Sequence, residues 1–462
     1  MAKVGEMAVV RVPARMKVLI GVVLIAVNAF VLWRFARSPV NVYGPLSFGG
    51  YRLDLDVYRI GSTIWRHGGS LYGALPNTTG GVNLPFTYPP AAAIIFAPLS
   101  LIPFSVASVV ITALTVVSLL VVLWLVVRSL GLKLAGADRW LGLGVFLPLA
   151  LLIEPVRSTL GFGQVNVLLM VLVALDCLTT TKRWPRGVLI GLAAAVKLTP
   201  AAFILFFIVR KDWRSAVRTI VSFIVVTGIG FVFDWHDSVQ YWTKLVFDSS
   251  RIGGIDYAGN QSLLALITRF GVQKPMVNIL WFVLVVATLV IAAIGMRRAL
   301  DQRQIVFALT INGVAELLCS PISWSHHWVW AAPLFLGLGV LGWRTRAWPA
   351  IALTLSGMLL VYLAPQWWFP NTEDRELHWA FWQQIVGSAY VYYGVVLLIT
   401  ATVMRYRPVL GAASSSDQDV ADQDVADQDV ADQGEPAEQG QGAVSTATAS
   451  RVSSSQISSS GT

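Results

Sequence analysis

One uncharged stretch decides the fold class of this chain: residues 105–127 read SVASVVITALTVVSLLVVLWLVV. A transmembrane helix needs about 20 consecutive, predominantly apolar residues, so this stretch is long enough to cross a bilayer. Nine further largely apolar stretches of similar length lie at 17–34, 140–157, 165–180, 215–234, 276–296, 304–320, 326–343, 347–364 and 386–404. The pattern predicts an all-α polytopic membrane protein.

Composition and charge agree with this class. Only 13% of the residues are charged and 56% are hydrophobic, whereas soluble domains average roughly 25% charged residues. Residues 409–462 carry nine acidic residues and only Arg451, and the rest of the chain has 33 basic against 16 acidic residues. In so apolar a chain, this excess indicates cytoplasmic loops near anionic lipid and not a nucleic-acid partner.

The positive-inside rule gives a topology, because clusters of Lys and Arg between spans should all face the cytoplasm. Besides the N-terminus, the clusters lie at 128–139, 182–186, 210–214, 297–303, 344–346 and 405–407. All become cytoplasmic if the segments 90–104 and 187–209 leave the membrane on the side they entered. We therefore predict a plasma-membrane protein with ten full crossings, two broken or re-entrant segments and both termini in the cytoplasm. A proline and a cation in the middle of 187–209, in the motif Lys197-Leu-Thr-Pro200, suit such a break.

This topology divides the chain into three parts. They are a cytoplasmic N-terminus at 1–16, a transmembrane catalytic domain at 17–408 and a disordered, acidic-repeat cytoplasmic tail at 409–462. The main external loops are 35–89, 235–275 and 365–385. Most unusual polar clusters fall on this external face, where a lipid-borne substrate would present its head group.

The first cluster is Asp54 and Asp56, in the sequence LDLDVY. A carboxylate beside the membrane can act as a general base on an acceptor hydroxyl. Alternatively, these are solvated charges or partners of Arg52 or Arg59. On a strand the two side chains would face one side, but on a helix they diverge by about 200°. The sequence leaves open which carboxylate is the base, and two carboxylates alone do not predict a metal site.

The second cluster joins Ser323 and Trp324 to the tandem pair His326 and His327. Imidazoles and serine hydroxyls can donate hydrogen bonds to a departing phosphate. The alternative is an interfacial Trp/His belt with helix-capping serines.

Weaker candidates for binding a sugar or a phosphate complete the set: Tyr88, Gln164, Asn166, Lys197, Asn260 and Gln261. Amides hydrogen-bond sugar hydroxyls well, but they also cap helices. Lys197 could meet a phosphate, or it could pair with Glu154 or Glu316 inside the membrane.

Seven loose motifs, in order along residues 45 to 335, resemble those of glycosyltransferase family 87, the polyprenol-phosphate-sugar-dependent membrane glycosyltransferases of the GT-C fold. They are Asp54-Leu-Asp-Val-Tyr58, Gly69-Ser-Leu-Tyr72, Phe86-Thr-Tyr-Pro-Pro90, Gly163-Gln-Val-Asn166, Lys197-Leu-Thr-Pro200, Asn260-Gln-Ser262 and Ser320-Pro-Ile-Ser-Trp-Ser-His-His327.

The resemblance implies an α-1,2-mannosyltransferase that uses polyprenyl-phosphate mannose. Its acceptor would be a glycolipid of the cell envelope: a phosphatidylinositol mannoside, lipomannan or lipoarabinomannan. The family's acidic residue carries over to Asp54 as the base of an inverting displacement, with Asp56 as its neighbour. His326 or His327, with Lys197, would hold the leaving lipid phosphate, so that neither a metal nor another cofactor is required.

Two other functions fit parts of the pattern. An arabinofuranosyltransferase would use the same lipid chemistry with another sugar. A transporter or flippase would use the intramembrane residues Asp176 and Glu316 as ligands, and it predicts internal repeats, which the sequence does not show.

Overall fold

The computed structural model of the protein describes residues 13–37, 51–132, 136–179 and 183–404. Within these ranges the chain is helical, and its one β-type pairing is an isolated bridge between Asn260 and Trp324. Most of the predicted cytoplasmic N-terminus, 1–16, and all of the acidic-repeat tail, 409–462, lie outside the described residues.

The described residues form eighteen α-helices, with 3-10 turns in several of the segments between them. They are α1 (Ala14–Arg37), α2 (Leu53–Arg66), α3 (Pro90–Ser100), α4 (Phe104–Ser129), α5 (Gly136–Leu152), α6 (Glu154–Phe162), α7 (Asn166–Leu178), α8 (Val188–Val196), α9 (Ile204–Arg210), α10 (Trp213–Phe233), α11 (Trp235–Thr243), α12 (Leu263–Arg269), α13 (Met276–Asp301), α14 (Ile305–Cys319), α15 (Ala331–Thr345), α16 (Trp348–Leu363), α17 (Phe381–Gly387) and α18 (Ala389–Val403).

Length and composition identify four candidate membrane spans among the described helices: α4, α10, α13 and Trp348–Trp367. The bent pairs α5/α6 and α17/α18 raise the number to six if each pair counts as one span. Several other predicted spans coincide with shorter apolar helices, among them α7 and α14. The helical membrane-protein fold is therefore confirmed at this coarser level, while the ten crossings stay a prediction.

The broken segment around Lys197 has a clear local cause. Helix α8 ends at Val196, and Lys197 is extended, with φ of −148° and ψ of 127°. A 3-10 turn over Thr199–Phe203 then leads into α9. Proline at position 200 has no N–H to donate, and its ring would clash with the carbonyl one turn earlier, so an α-helix cannot continue through it. The break lies where the sequence predicts it.

Two buried apolar clusters position the site. The larger cluster contains most of α14 and α15 with parts of α4, α7 and α18. The smaller one packs α2 against α3, with Phe86 and Tyr88 between them, and it reaches α7 and α8. Near their junction lie the Lys197 break and the turn Ser325–Trp330, which packs against α6, α7 and α14.

Candidate active site

A cavity of about 450 Å³ gathers residues that are far apart in the sequence. Six of the twelve sequence-predicted site residues line it: Asp54, Tyr88, Gln164, Lys197, Trp324 and His327. The other six lie around the cavity without lining it: Asp56, Asn166, Asn260, Gln261, Ser323 and His326. Asp54 of the predicted carboxylate pair and His327 of the predicted histidine pair therefore line the same cavity.

Asp54 lies in the first turn of α2 and is half-buried against the cavity. Burial raises the pKa of its carboxyl group to about 6, although a hydrogen bond from Gln164 and the positive charge of Lys197 both act to lower it. A carboxyl group with such a pKa is mostly ionised at neutral pH and is a stronger base than an ordinary aspartate.

Two tyrosines orient the amide that contacts Asp54. The hydroxyls of Tyr58 and Tyr88 donate to Oε1 of Gln164, at 2.8 and 3.1 Å. Burial raises the pKa of both tyrosines, so both hydroxyls keep their protons. Because the Gln164 oxygen accepts from the tyrosines, its NH₂ group is left to donate to the carboxylate of Asp54.

Asp56 has a different environment from Asp54, because side chains two positions apart on a helix point to different sides of it. Its buried carboxylate accepts hydrogen bonds from the backbone N–H of Thr79 at 2.8 Å and from the Thr79 hydroxyl at 2.9 Å. It also accepts from the hydroxyl of Tyr51, and Arg59 lies 3.9 Å away. Asp56 thus joins the loop around residue 79 to α2.

The amine of Lys197 is a cationic group that lines the same cavity as Asp54. Its Nζ donates to Oδ1 of Asn166 at 2.9 Å and to Nε2 of His327 at 3.1 Å, and it lies 5.8 Å from the centre of the Tyr88 ring. Glu316 lines the cavity together with Lys197. A lysine and an imidazole held together in this way can bind one phosphate group.

His326 and Asn166 hold this arrangement in place from outside the cavity. The backbone carbonyl of His326 accepts from the Thr159 hydroxyl at 2.8 Å and from Nδ2 of Asn166 at 2.9 Å. The His326 ring packs against Phe162, with 5.0 Å between ring centres. Asn166 therefore contacts both Lys197 and the histidine turn.

The three remaining predicted residues, Asn260, Gln261 and Ser323, are fully buried. The side chain of Asn260 donates to the carbonyls of Ile255 and Pro321 and accepts from the backbone N–H of Ser323 at 2.9 Å. Gln261 donates to the carbonyls of Ala258 and Gly387. These amides fix the turn that presents Trp324 to the cavity.

Two features of the cavity were missed by the sequence interpretation. Arg251 lines it, and apolar side chains that include Leu198, Leu205 and Leu289 make up part of its wall. Arg251 carried a usable signal, because it is a basic residue in loop 235–275, on the face where the positive-inside rule expects few. Among the described residues, no group of three or more His, Cys, Asp or Glu side chains could hold a metal ion.

Comparison with known proteins identifies the family. The sequence profile of glycosyltransferase family 87 matches residues 86–321. A polyprenol-phosphate-mannose-dependent α-(1-2)-phosphatidylinositol mannoside mannosyltransferase of Mycolicibacterium smegmatis is 38% identical over 389 residues, which cover 80% of this chain and 88% of that protein. The enzyme of the same name from Mycobacterium tuberculosis is 36% identical over 391 residues, covering 80% and 87%.

A third relative differs in the acceptor that its name states. This polyprenol-phosphate-mannose-dependent α-(1-2)-phosphatidylinositol pentamannoside mannosyltransferase of Mycolicibacterium smegmatis is 34% identical over 331 residues, which cover 69% of this chain and 79% of that protein. No solved structure gives a significant match.

Proposed function

The chain belongs to glycosyltransferase family 87, and from that membership we propose that it transfers mannose from polyprenyl-phosphate mannose to a phosphatidylinositol mannoside in an α-1,2 linkage. The names of its relatives supply the donor and the acceptor class. The cavity supplies groups that can carry out the transfer.

The observation that carries the proposal is the composition of the cavity. Asp54, the cation–imidazole pair of Lys197 and His327, and apolar side chains all form its wall. Leu198 and Leu289 in that wall are 40% and 39% exposed. A substrate that joins a sugar, a phosphate and a long apolar chain has a matching surface for each part.

The proposed mechanism is a single displacement with inversion. Asp54 takes the proton from the acceptor hydroxyl as its oxygen attacks the anomeric carbon of mannose. The bond from that carbon to the phosphate oxygen breaks, and the polyprenyl phosphate leaves with the electron pair. Lys197 and His327 stabilise the charge that develops on this oxygen. We assign Asp56, Asn166 and the buried amides to positioning the catalytic loop and turn.

We further propose that the cavity faces outside the cell, that both termini are cytoplasmic and that the chain crosses the membrane ten times. The lining of the cavity supports this orientation. It includes Asp54 and Tyr88 from the external loop 35–89, and Gln164 and Trp324 from the short segments 158–164 and 321–326, which the predicted topology also places outside. Single cysteines at Phe247, which is 82% exposed, and at Arg297 test it when both native cysteines are replaced. An impermeant thiol reagent on intact cells should label only the cysteine at position 247, and the reverse pattern would contradict the orientation.

The function itself is tested by supplying the purified chain with radiolabelled polyprenyl-phosphate mannose and phosphatidylinositol mannoside. We expect a product from which an α-1,2-mannosidase releases the label. Radiolabelled polyprenyl-phosphate arabinose is supplied in a parallel reaction as the alternative donor. Transfer from the arabinose donor alone would replace the proposal with the arabinofuranosyltransferase, and accumulation of the acceptor in a strain without the chain would agree with the mannosyltransferase.

A further inference from the structure

Arg251 is a second cation in the cavity wall, in the short 3-10 turn Ser249–Ile252. Its guanidinium stacks over two aromatic rings, 5.7 Å from the centre of Tyr72 and 5.5 Å from that of Tyr241. The nearby acidic residues have other partners: Asp248 accepts from Ser250, and Asp237 accepts from Ser70 and from the backbone of Leu71. Asp248, which is exposed, interacts with the charge of Arg251 through space, so the guanidinium can still bind an anion in the cavity.

The hydrogen bonds of Arg251 hold the guanidinium in one orientation. Nε donates to the carbonyl of Leu245, while Nη1 and Nη2 donate to the carbonyls of Phe86 and Thr87, at 3.2, 3.1 and 3.3 Å. A guanidinium has five N–H groups, so two remain after these three bonds. A planar cation with a fixed orientation and N–H groups to spare suits phosphate oxygens.

The position of Arg251 separates it from Lys197. Arg251 binds the backbone of Phe86 and Thr87, whereas Lys197 lies over the ring of the next residue, Tyr88. The cavity thus has two positively charged groups, at different points along the same short segment. In the proposed reaction each lipid substrate brings one phosphate, so the two positively charged groups can bind different phosphates.

We propose that Arg251 is a second phosphate-binding group of this cavity, separate from Lys197 and His327, and that it recognises a phosphate carried by a lipid substrate. The proposal rests on the proposed function, in which both lipids carry a phosphate. Two sources fit this chemistry: the phosphodiester of the acceptor and the phosphate of the donor. A kinetic experiment separates them.

The experiment measures transfer by the purified full-length chain from polyprenyl-phosphate mannose to two acceptors, a phosphatidylinositol mannoside and phosphate-free octyl α-mannoside. The variants are Arg251→Gln, which removes the charge, and Arg251→Lys, which keeps the charge but loses the planar fork. Arg375→Gln is the matched control, because Arg375 is 56% exposed and pairs with Glu373.

If Arg251 binds the acceptor, Arg251→Gln raises KM for the phosphatidylinositol mannoside by about 10- to 100-fold, the range expected for hydrogen bonds to a charged group. KM for octyl α-mannoside then stays unchanged. If it binds the donor, KM for polyprenyl-phosphate mannose rises by a similar factor with either acceptor. In both cases Arg251→Lys gives a smaller effect and Arg375→Gln none.

The proposal is wrong if every KM stays at the wild-type value, including the case in which kcat falls equally with both acceptors. That result would mean that Arg251 only stabilises the backbone of Phe86 and Thr87 through its hydrogen bonds. If the wild-type chain transfers no mannose, the proposed function fails instead. In that case the rise in thermal unfolding temperature on adding a lipid tests Arg251. Phosphatidylinositol is compared with diacylglycerol, and polyprenyl phosphate with polyprenol, because neither control carries a phosphate. Stabilisation by either phosphate lipid that Arg251→Gln abolishes supports the proposal, and stabilisation that Arg251→Gln leaves unchanged contradicts it.

Discussion

Replacing Asp54 by Asn tests the proposed base most directly. Asparagine has almost the same shape and can still bond to Gln164, but it cannot accept the proton of the acceptor hydroxyl. General-base catalysis contributes typically 10²- to 10⁴-fold, so we expect kcat to fall by about that factor. Protein level and substrate KM should change little, because the cavity keeps its shape.

The pH dependence gives the prediction its specific signature. Burial raises the pKa of Asp54 to about 6, and only the ionised form can act as a base. Wild-type kcat/KM should therefore be near its maximum at about pH 7 and fall as the pH decreases through about 6. At about pH 5 roughly a tenth of the Asp54 side chains are ionised, so the rate should be about a tenth of the plateau. The residual activity of Asp54→Asn should lack this step.

Stability should change in the opposite direction. The folded-state pKa of Asp54 lies above the ordinary value, so the folded protein holds this proton more tightly than the unfolded chain does. The resulting stabilisation is present at low pH and is lost as the pH rises through about 6. At neutral pH the neutral amide of Asp54→Asn avoids burying a charge, and its thermal unfolding temperature should equal or exceed that of the wild type.

Asp56→Asn is the matched control on the same helix. It weakens the contacts to Thr79 and to Tyr51, so it should lower the unfolding temperature and slow transfer only moderately, with the step near pH 6 retained. Near-wild-type transfer by Asp54→Asn would refute its role as the base. Loss of the pH step in Asp56→Asn but not in Asp54→Asn would transfer that role to Asp56.

Three further substitutions test the rest of the site. Lys197→Met removes the cation beside the leaving phosphate, so kcat with polyprenyl-phosphate mannose should fall by about 10²- to 10³-fold in the same transfer assay; an unchanged kcat would contradict phosphate stabilisation. His327→Ala should reduce kcat more than His326→Ala, because only His327 lines the cavity, and the reverse order would exchange their roles. Glu154→Ala leaves the buried hydroxyls of Ser158 and Ser325 without this acceptor, at a cost of about 1–3 kcal/mol each, while Tyr390 keeps the carbonyl of Val361; a thermal unfolding temperature equal to that of the wild type would argue against this structural role of Glu154.

The sequence by itself determined the fold class and the list of candidate residues. Apolar stretches near 20 residues require helices in a membrane, because a spanning backbone must satisfy its own hydrogen bonds. Pro200 likewise determined the break beside Lys197, since its effect on a helix is local. Hydropathy alone left the number of crossings open, because a helix of 15 residues such as α14 is as apolar as the longer candidate spans.

Only the tertiary structure decided which candidates share the cavity. The residues alone could not show whether Asp54 or Asp56 is the base. That depends on whether residues 53–66 form a helix and on which side of this helix contacts Gln164. The adjacent histidines are equivalent in the sequence, but in the structure the His326 ring packs against Phe162 and only His327 lines the cavity. Arg251 entered the site only through contacts with residues about 165 positions away. Hydropathy and helix breaks depend on neighbours along the chain, whereas a cavity depends on side chains that folding brings together.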